Sequence, residues 1–263
     1  MPFTRVHDVN LAYYMVGAGP PLLMIQGLGG RAADWASVPG RLATHFQVIT
    51  FDNRGTGQSD KPDTEYSLEL MADEAIAVLH AAGHRRAHVV GLSMGGMIAQ
   101  LVALRHPQSV QRLVLLSTTP GGRHTVPPSP EAMQALIPDL TQPPAEIVRR
   151  SMEHIAAPGF AAQHPEVIEA IVATALSAPT PQFVFARQLA AVMASDRYDD
   201  LPTIQAPTMV IHGDADPLVP FDNGRILAAR IPGAQLLALP GCGHLAMWEQ
   251  PHPLSEALLG FLR

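Results

Sequence analysis

The run "AHVVGLSMGGMIAQLVALRHP" sets Ser93 between Gly91 and Gly95 in the spacing G-x-S-x-G, with Gly96 directly after. A short β-rich run before the serine and a long helix-forming run after it predict a strand, a sharp turn and a helix. Such a turn strains its central residue. It also brings neighbouring main chain so close that side chains two before and two after must be absent. The serine then stands at a helix N-terminus, where free N–H groups and the helix dipole favour negative charge developing nearby. The chemistry suited to this arrangement is nucleophilic attack by a hydroxyl. A small-residue helix start with a capping serine is the simpler alternative, and the strand before, Gly96 and the helix after favour the nucleophile.

A serine hydroxyl attacks only when a base takes its proton, and the base needs an acid to orient it. Both residue types occur late in the chain. "TMVIHGDADPLVP" ends a predicted strand with Asp214 and Asp216, and "LLALPGCGHLAMWEQP" ends another with His244. The order is Ser, acid, His, each on a loop leaving one end of a parallel sheet. On the residues alone, Asp214 and Asp216 are both candidates for the acid.

The elements that must position these groups are legible as apolar runs: "NLAYYMV", "LLMIQ", "QVITF", "AHVVG", "RLVLLS", "TMVIHG" and "QLLALP". From Leu22 onward the runs are continuously apolar and alternate with helical segments, the pattern of parallel strands buried on both faces. Thr4 to Val16 reads as a hairpin or antiparallel entry to the sheet. Between Thr119 and Pro207 no strand is predicted and prolines thicken. Helices are expected there at Pro130 to Ile137, Pro144 to Ile155, Pro165 to Leu176 and Pro181 to Met193, several with proline in the first turn. That stretch is far longer than one crossover needs. The expected class is α/β: a mostly parallel central sheet flanked by helices, with a core of residues 1–119 and 206–263 and a helical cap, 120–205, over the C-terminal edge of the sheet.

With 263 residues, 47% hydrophobic and 15% charged, the chain can bury a substantial core and is not globally disordered. A net charge of -6 and the absence of any Lys/Arg run exclude nucleic acid and anionic lipid as expected partners. The start "MPFTRVHDVN" lacks the pattern of a signal peptide, and apolar runs break before the length of a membrane span. A cytoplasmic location is expected. Cys242 is the single cysteine and cannot form an internal disulfide.

These motifs together resemble the α/β-hydrolase superfamily over nearly the whole chain. "GLSMGG" is similar to its nucleophile elbow, "HGDADPLVP" to its acid loop, "GCGH" to its histidine loop, and "DNRGTGQSD" to the loop after an early strand. The resemblance implies Asp216 as the acid, from the family's H-G-x-x-D spacing, with Asp214 as the fallback, and His244 as the base. It implies oxyanion donors at the backbone N–H groups of Leu28 and Met94, and neither cofactor nor metal. The implied activity is that of a serine hydrolase acting through an acyl-enzyme on a small ester or lactone, most like the carboxylesterases and enol-lactonases. The family usually has His where this chain has Gln26, which leaves the backbone donor intact and alters what surrounds it.

Other motifs in the chain fit different chemistries. In "LLMIQGLGGRAADW", Gly27, Gly29 and Ala32 fit a G-x-G-x-x-A dinucleotide loop, with Asp52 placed as a ribose-binding acid. A dehydrogenase, however, leaves three later motifs unexplained and sets two strands ahead of a fingerprint that normally follows the first. A carbon-carbon bond hydrolase shares "SMGG", but that group tends to carry Asn where Leu92 stands. Perhydrolase or haloperoxidase-type chemistry uses the same three residues, and a haloalkane dehalogenase needs a carboxylate at position 93. A ligand-binding receptor on the same fold is the non-enzymatic alternative. His80, His84 and His88 suggest a metal-binding helix face that Gly83 interrupts, and "DNRGTGQSD" lacks the Lys-Ser/Thr end of a phosphate loop, so Asp52 and Arg54 are read as shaping it. Met133, Met152, Met193, Phe160, Phe183 and Phe185 either line an apolar pocket or pack the insertion onto the sheet.

Overall fold

The apolar runs form β1 (Phe3–Val6), β2 (Val9–Val16), β3 (Pro21–Ile25), β4 (Gln47–Phe51), β5 (Ala87–Leu92), β6 (Val110–Leu116), β7 (Thr208–Gly213) and β8 (Gln235–Leu239). In the computed structural model, which describes every residue except 138 and 140, they make one sheet in the order β1-β2-β4-β3-β5-β6-β7-β8. β1 and β2 pair antiparallel, as the expected hairpin, and β2 joins β4 antiparallel. All later pairings are parallel.

The inner strands β3 to β7 are covered on both faces, which is why they carry no regular polar alternation, while β1, β2 and β8, toward the edges of the sheet, are partly exposed. Leu23, Ile25 and Val89 point into one core with α2 (after the short α1, Val38–Leu42; α2 spans Leu68–Ala81) and α3 (Met94–Arg105). Leu22, Met24, Val90 and Leu92 point into the other. The start of α2 is fixed by Ser67, whose hydroxyl accepts the Leu70 N–H at 3.1 Å, a cap of the kind worth about 1 kcal/mol.

Between β6 and β7 lie α4 (Pro130–Ala135), α5 (Pro144–Ile155), α6 (Phe160–Gln163), α7 (Pro165–Ser177) and α8 (Gln182–Met193). The four expected helices are present within a residue or two at each end, and the short α6 is added. Met152 and Phe160 pack against the second core, but Met193 is 77% exposed, and Met133 and Phe183 are also exposed. Met193 and Phe183 therefore face solvent, whereas Met133 lines a surface cavity with Ala135, Ile147 and His154. The chain closes with α9 (Phe221–Arg230), α10 (Ala246–Glu249) and α11 (Pro251–Leu262). Among the described residues, no single helix is long and apolar enough to cross a membrane.

Candidate active site

Ser93 is where β5 turns into α3, at φ 53° and ψ −120°. This region is costly for a residue with a Cβ, by about 1–3 kcal/mol, and persists only where its surroundings over-determine it. Here they do. The Ser93 N–H donates to the Leu116 carbonyl at 2.9 Å, and the Ser93 carbonyl accepts from the Thr118 hydroxyl at 2.7 Å. The flanking glycines are required by contact: a Cβ on Gly91 would lie 2.2 Å from the Gly95 carbonyl oxygen, and one on Gly95 would lie 2.2 Å from that of Ile25. Although Ser93 occupies the N-cap position of α3, its hydroxyl makes no capping hydrogen bond. The serine is thus not spent on the helix start, and it is only half-buried.

The loop after β3 lies against it. A Cβ on Gly27 would be 3.2 Å from Ser93 Cβ and 3.8 Å from its Oγ. Gly27 donates its N–H to Gln26 Oε1 at 2.9 Å, and Gly30 donates to the Gly27 carbonyl at 3.1 Å, so Leu28 sits at the tip of a closed turn. Among the described residues, neither the Leu28 nor the Met94 N–H donates to a protein acceptor. Gln26 itself is buried, and its Nε2 has no partner. The side chain at this position therefore closes the turn through its oxygen, a role visible only in the structure.

Asp216 and His244 are brought together from the loops after β7 and β8. His244 Nδ1 lies 2.8 Å from Asp216 Oδ2, and both residues are 5% exposed. Asp216 Oδ1 accepts the N–H groups of Leu218 and Val219 at 2.9 and 2.8 Å, which fixes the carboxylate's orientation. The carboxylate assigns the proton to Nδ1 and leaves Nε2 as the free acceptor of the imidazole. Asp214 is exposed and accepts the Gly241 N–H at 2.6 Å, on a different errand from His244. Beneath the pair, His212 is fully buried and donates from Nε2 to the Val219 carbonyl at 2.7 Å, and burial holds its pKa below the usual histidine range.

Sequence reasoning missed Glu249. Its carboxylate accepts the N–H groups on either side of His244, from Gly243 at 2.8 Å and Leu245 at 2.9 Å, and a third from Ala157 at 3.0 Å. The clue was present, since an acid close behind the histidine in "GCGHLAMWEQP" has backbone donors within reach. Asp52 is not free for a ribose: it accepts from Ala32 N–H and Gln58 N–H, both at 2.8 Å, and from the Tyr14 hydroxyl at 3.2 Å. Arg54 is buried against Glu74 at 2.6 Å, so both residues shape the loop as expected. His80 ends α2 while His88 lies on β5, and no group of His, Cys, Asp or Glu suited to a metal occurs among the described residues.

Residues 22–257 match the model of the Alpha/beta hydrolase family. The chain belongs to that family. The eight-stranded, mostly parallel sheet flanked by helices agrees with that assignment. Among curated relatives, a putative carbamate hydrolase RutD from Azorhizobium caulinodans is 30% identical over 261 residues, covering 99% of this chain and 98% of that protein. Among solved structures, Est816, described as an N-acyl homoserine lactone degrading enzyme, superposes with a TM-score of 0.85 at 33% identity, over 99% of this chain and 100% of its own. The enol-lactonase from Burkholderia xenovorans LB400 gives a TM-score of 0.86 at 26% identity, over 99% of each chain. This alpha/beta hydrolase therefore matches relatives along nearly their whole length, and those relatives are named for different substrates.

Proposed function

We propose that the chain is a cofactor-independent serine hydrolase that cleaves a small carboxylic ester or lactone through an acyl-enzyme. The observation that carries the reading is Ser93 itself, held at a strained positive φ with its hydroxyl released from helix capping. Ser93 Oγ attacks the substrate carbonyl carbon while His244 Nε2 takes its proton. Asp216 keeps the imidazole in the required tautomer and stabilises its charge. The carbonyl oxygen, now an oxyanion, is received by the N–H groups of Leu28 and Met94.

Collapse of the tetrahedral species breaks the carbon–oxygen bond. His244 delivers its proton to the leaving oxygen, which departs as an alcohol or, from a lactone, stays tethered to the acyl group. A water then attacks the acyl-enzyme with His244 as base, releasing the carboxylic acid and restoring Ser93. The helices of residues 120–205, proposed as a cap over the sheet edge, would set acyl and alcohol size. The ester and lactone preference draws support from the enol-lactonase and the homoserine lactone enzyme, and Leu92 weighs against the carbon-carbon alternative.

A panel of p-nitrophenyl esters, γ-lactones, carbamates and vinylogous diketones, run on wild type and Ser93→Ala, tests this. Ester or lactone turnover in wild type and none in the folded variant is expected. Undiminished turnover by Ser93→Ala overturns the assignment, and turnover confined to the diketones moves it to carbon-carbon cleavage.

A further inference from the structure

The loop that carries Leu28 is not held by the sheet alone. Gly29, the next residue, donates its N–H to Gln188 Oε1 on α8 at 2.8 Å, and its carbonyl accepts from the Thr180 hydroxyl at 2.9 Å. The other end of the Gln188 amide donates to the Arg54 carbonyl at 3.0 Å. Gln188 is 0% exposed, so the single orientation that satisfies an acceptor and a donor at once is locked, and no water can replace either bond cheaply.

The same face of α8 supplies apolar contacts to the same two loops. A Cβ on Gly29 would lie 3.4 Å from the Phe185 ring, and one on Gly55 would lie 2.3 Å from Val184 Cγ1. Val184, Phe185 and Gln188 stand at i, i+1 and i+4, one flank of a helix. Further along, Arg31 donates to the Thr174 carbonyl and to Ser177 Oγ at the end of α7. Both main-chain polar groups of Gly29, which belong to the two peptide links flanking its Cα, are thus fixed by residues from between β6 and β7, while the Leu28 N–H one residue earlier is left undonated.

We propose that Gln188 is a positioning residue that couples the helices between β6 and β7 to the oxyanion donor, by clamping Gly29 between α8 and the Arg54 loop so that the Leu28 N–H stays in place to receive the oxyanion formed at Ser93. The inference rests on the proposed serine mechanism. A clamp of this kind acts on the transition state. The oxyanion forms only after substrate binds, so misaiming the donor lowers kcat and leaves KM nearly unchanged. Movement of α8 away from the core releases Gly29, which makes turnover conditional on the helices being seated.

The test compares Gln188→Met, which keeps length and apolar volume but has neither bond, with wild type on p-nitrophenyl butyrate, with phenylboronic acid as a tetrahedral-adduct probe. Expected are a fall in kcat of about tenfold or more with KM near the wild-type value, and a parallel weakening of boronate inhibition. Thr180→Val, which removes only the bond to the Gly29 carbonyl, moves both readouts the same way by less. It decides the matter if Gln188→Met does not fold. Leu258→Ala, a buried position on α11 away from α8 and both loops, serves as the structural control, lowering thermal stability without the kcat effect. Wild-type kcat in the folded Gln188 variant, or in Thr180→Val when that variant must decide, overturns the clamp. So does a rise in KM alone, which would make α8 only a binding wall. Ser93→Ala run alongside separates the two levels: activity there removes the serine mechanism, whereas an inactive Ser93→Ala with a fully active Gln188→Met removes only the clamp.

Discussion

His244 Nδ1 and Asp216 Oδ2 lie 2.8 Å apart, and the second carboxylate oxygen of Asp216 is occupied by two backbone N–H groups, so the aspartate has no other orientation to adopt. Asp214, two residues earlier, faces solvent and serves Gly241. Replacing Asp216 with Asn keeps the shape but offers an N–H where the imidazole needs an acceptor, and the His244 tautomer inverts. On the proposed mechanism a loss in kcat of about 10⁴ is expected, the scale known for the equivalent change in a serine triad. Asp214→Asn should leave turnover near wild type. Steady-state kinetics on one ester decide between the two carboxylates, and equal losses would show that the assignment of the acid is wrong.

Gly27 and Gly95 separate catalytic from folding demands. The Cβ of Gly27→Ala would press on side-chain and carbonyl atoms at 3.2 and 3.3 Å, contacts relieved by shifts of a few tenths of an ångström. The variant should fold and lose about tenfold to a hundredfold in kcat, because the displaced neighbour is Ser93. In Gly95→Ala the new atom meets two carbonyl oxygens, at 2.2 and 2.6 Å, both main chain of the β3 end. That variant should fail to yield folded protein. Circular dichroism with activity assays reads both, and a stable, active Gly95→Ala would contradict the contact geometry.

Glu249 ties the histidine loop to the end of α5. Removing its carboxylate strands the N–H groups of Gly243, Leu245 and Ala157, and Glu249→Ala should lose about 2–3 kcal/mol of stability. Glu249→Gln retains one acceptor oxygen and should lie between. If chemical denaturation finds Glu249→Ala as stable as wild type, these three bonds are not maintained in solution.

Elements whose signal is local were legible in the sequence. The parallel strands announced themselves by unbroken apolar runs, because burial on both faces leaves no polar position to interrupt them. Ser93 was singled out because an elbow needs glycine at fixed offsets, and His244 because it follows the last strand. Gln188 was not legible. It sits four residues after Val184 in an otherwise apolar stripe of α8, and its meaning depends on Gly29 and Arg54, far away in the chain. Gln26 was noticed only as a departure from a family habit, and its bond to the Gly27 N–H depends on a turn whose closure no residue pattern states. Met193 and Phe183 show the converse: apolar type suggested a pocket, and helix phase turned both to solvent.

His212 gives the fold a pH dependence separate from catalysis. Its ring is fully buried, with Nε2 on the Val219 carbonyl and 3.6 Å from Asp216, Phe221 edge-on at a centroid distance of 5.9 Å, and Gly224 close behind Nδ1. Burial lowers its pKa, opposed in part by the Asp216 charge, and His244 adds to the lowering. In the unfolded chain the ring takes up a proton near its ordinary value of about 6.5. Between that value and the lower folded pKa the unfolded state binds more protons, so stability rises with pH across the window. The contribution is complete above about pH 6.5 and is lost as pH falls toward the folded pKa, at a slope of at most about 1.4 kcal/mol per pH unit. Urea midpoints at pH 7.5 and pH 5.5 should therefore differ more for wild type than for His212→Gln, whose amide can reach the Val219 carbonyl without titrating. Equal differences in the two proteins would mean that the acid sensitivity of the fold arises from its other titratable groups.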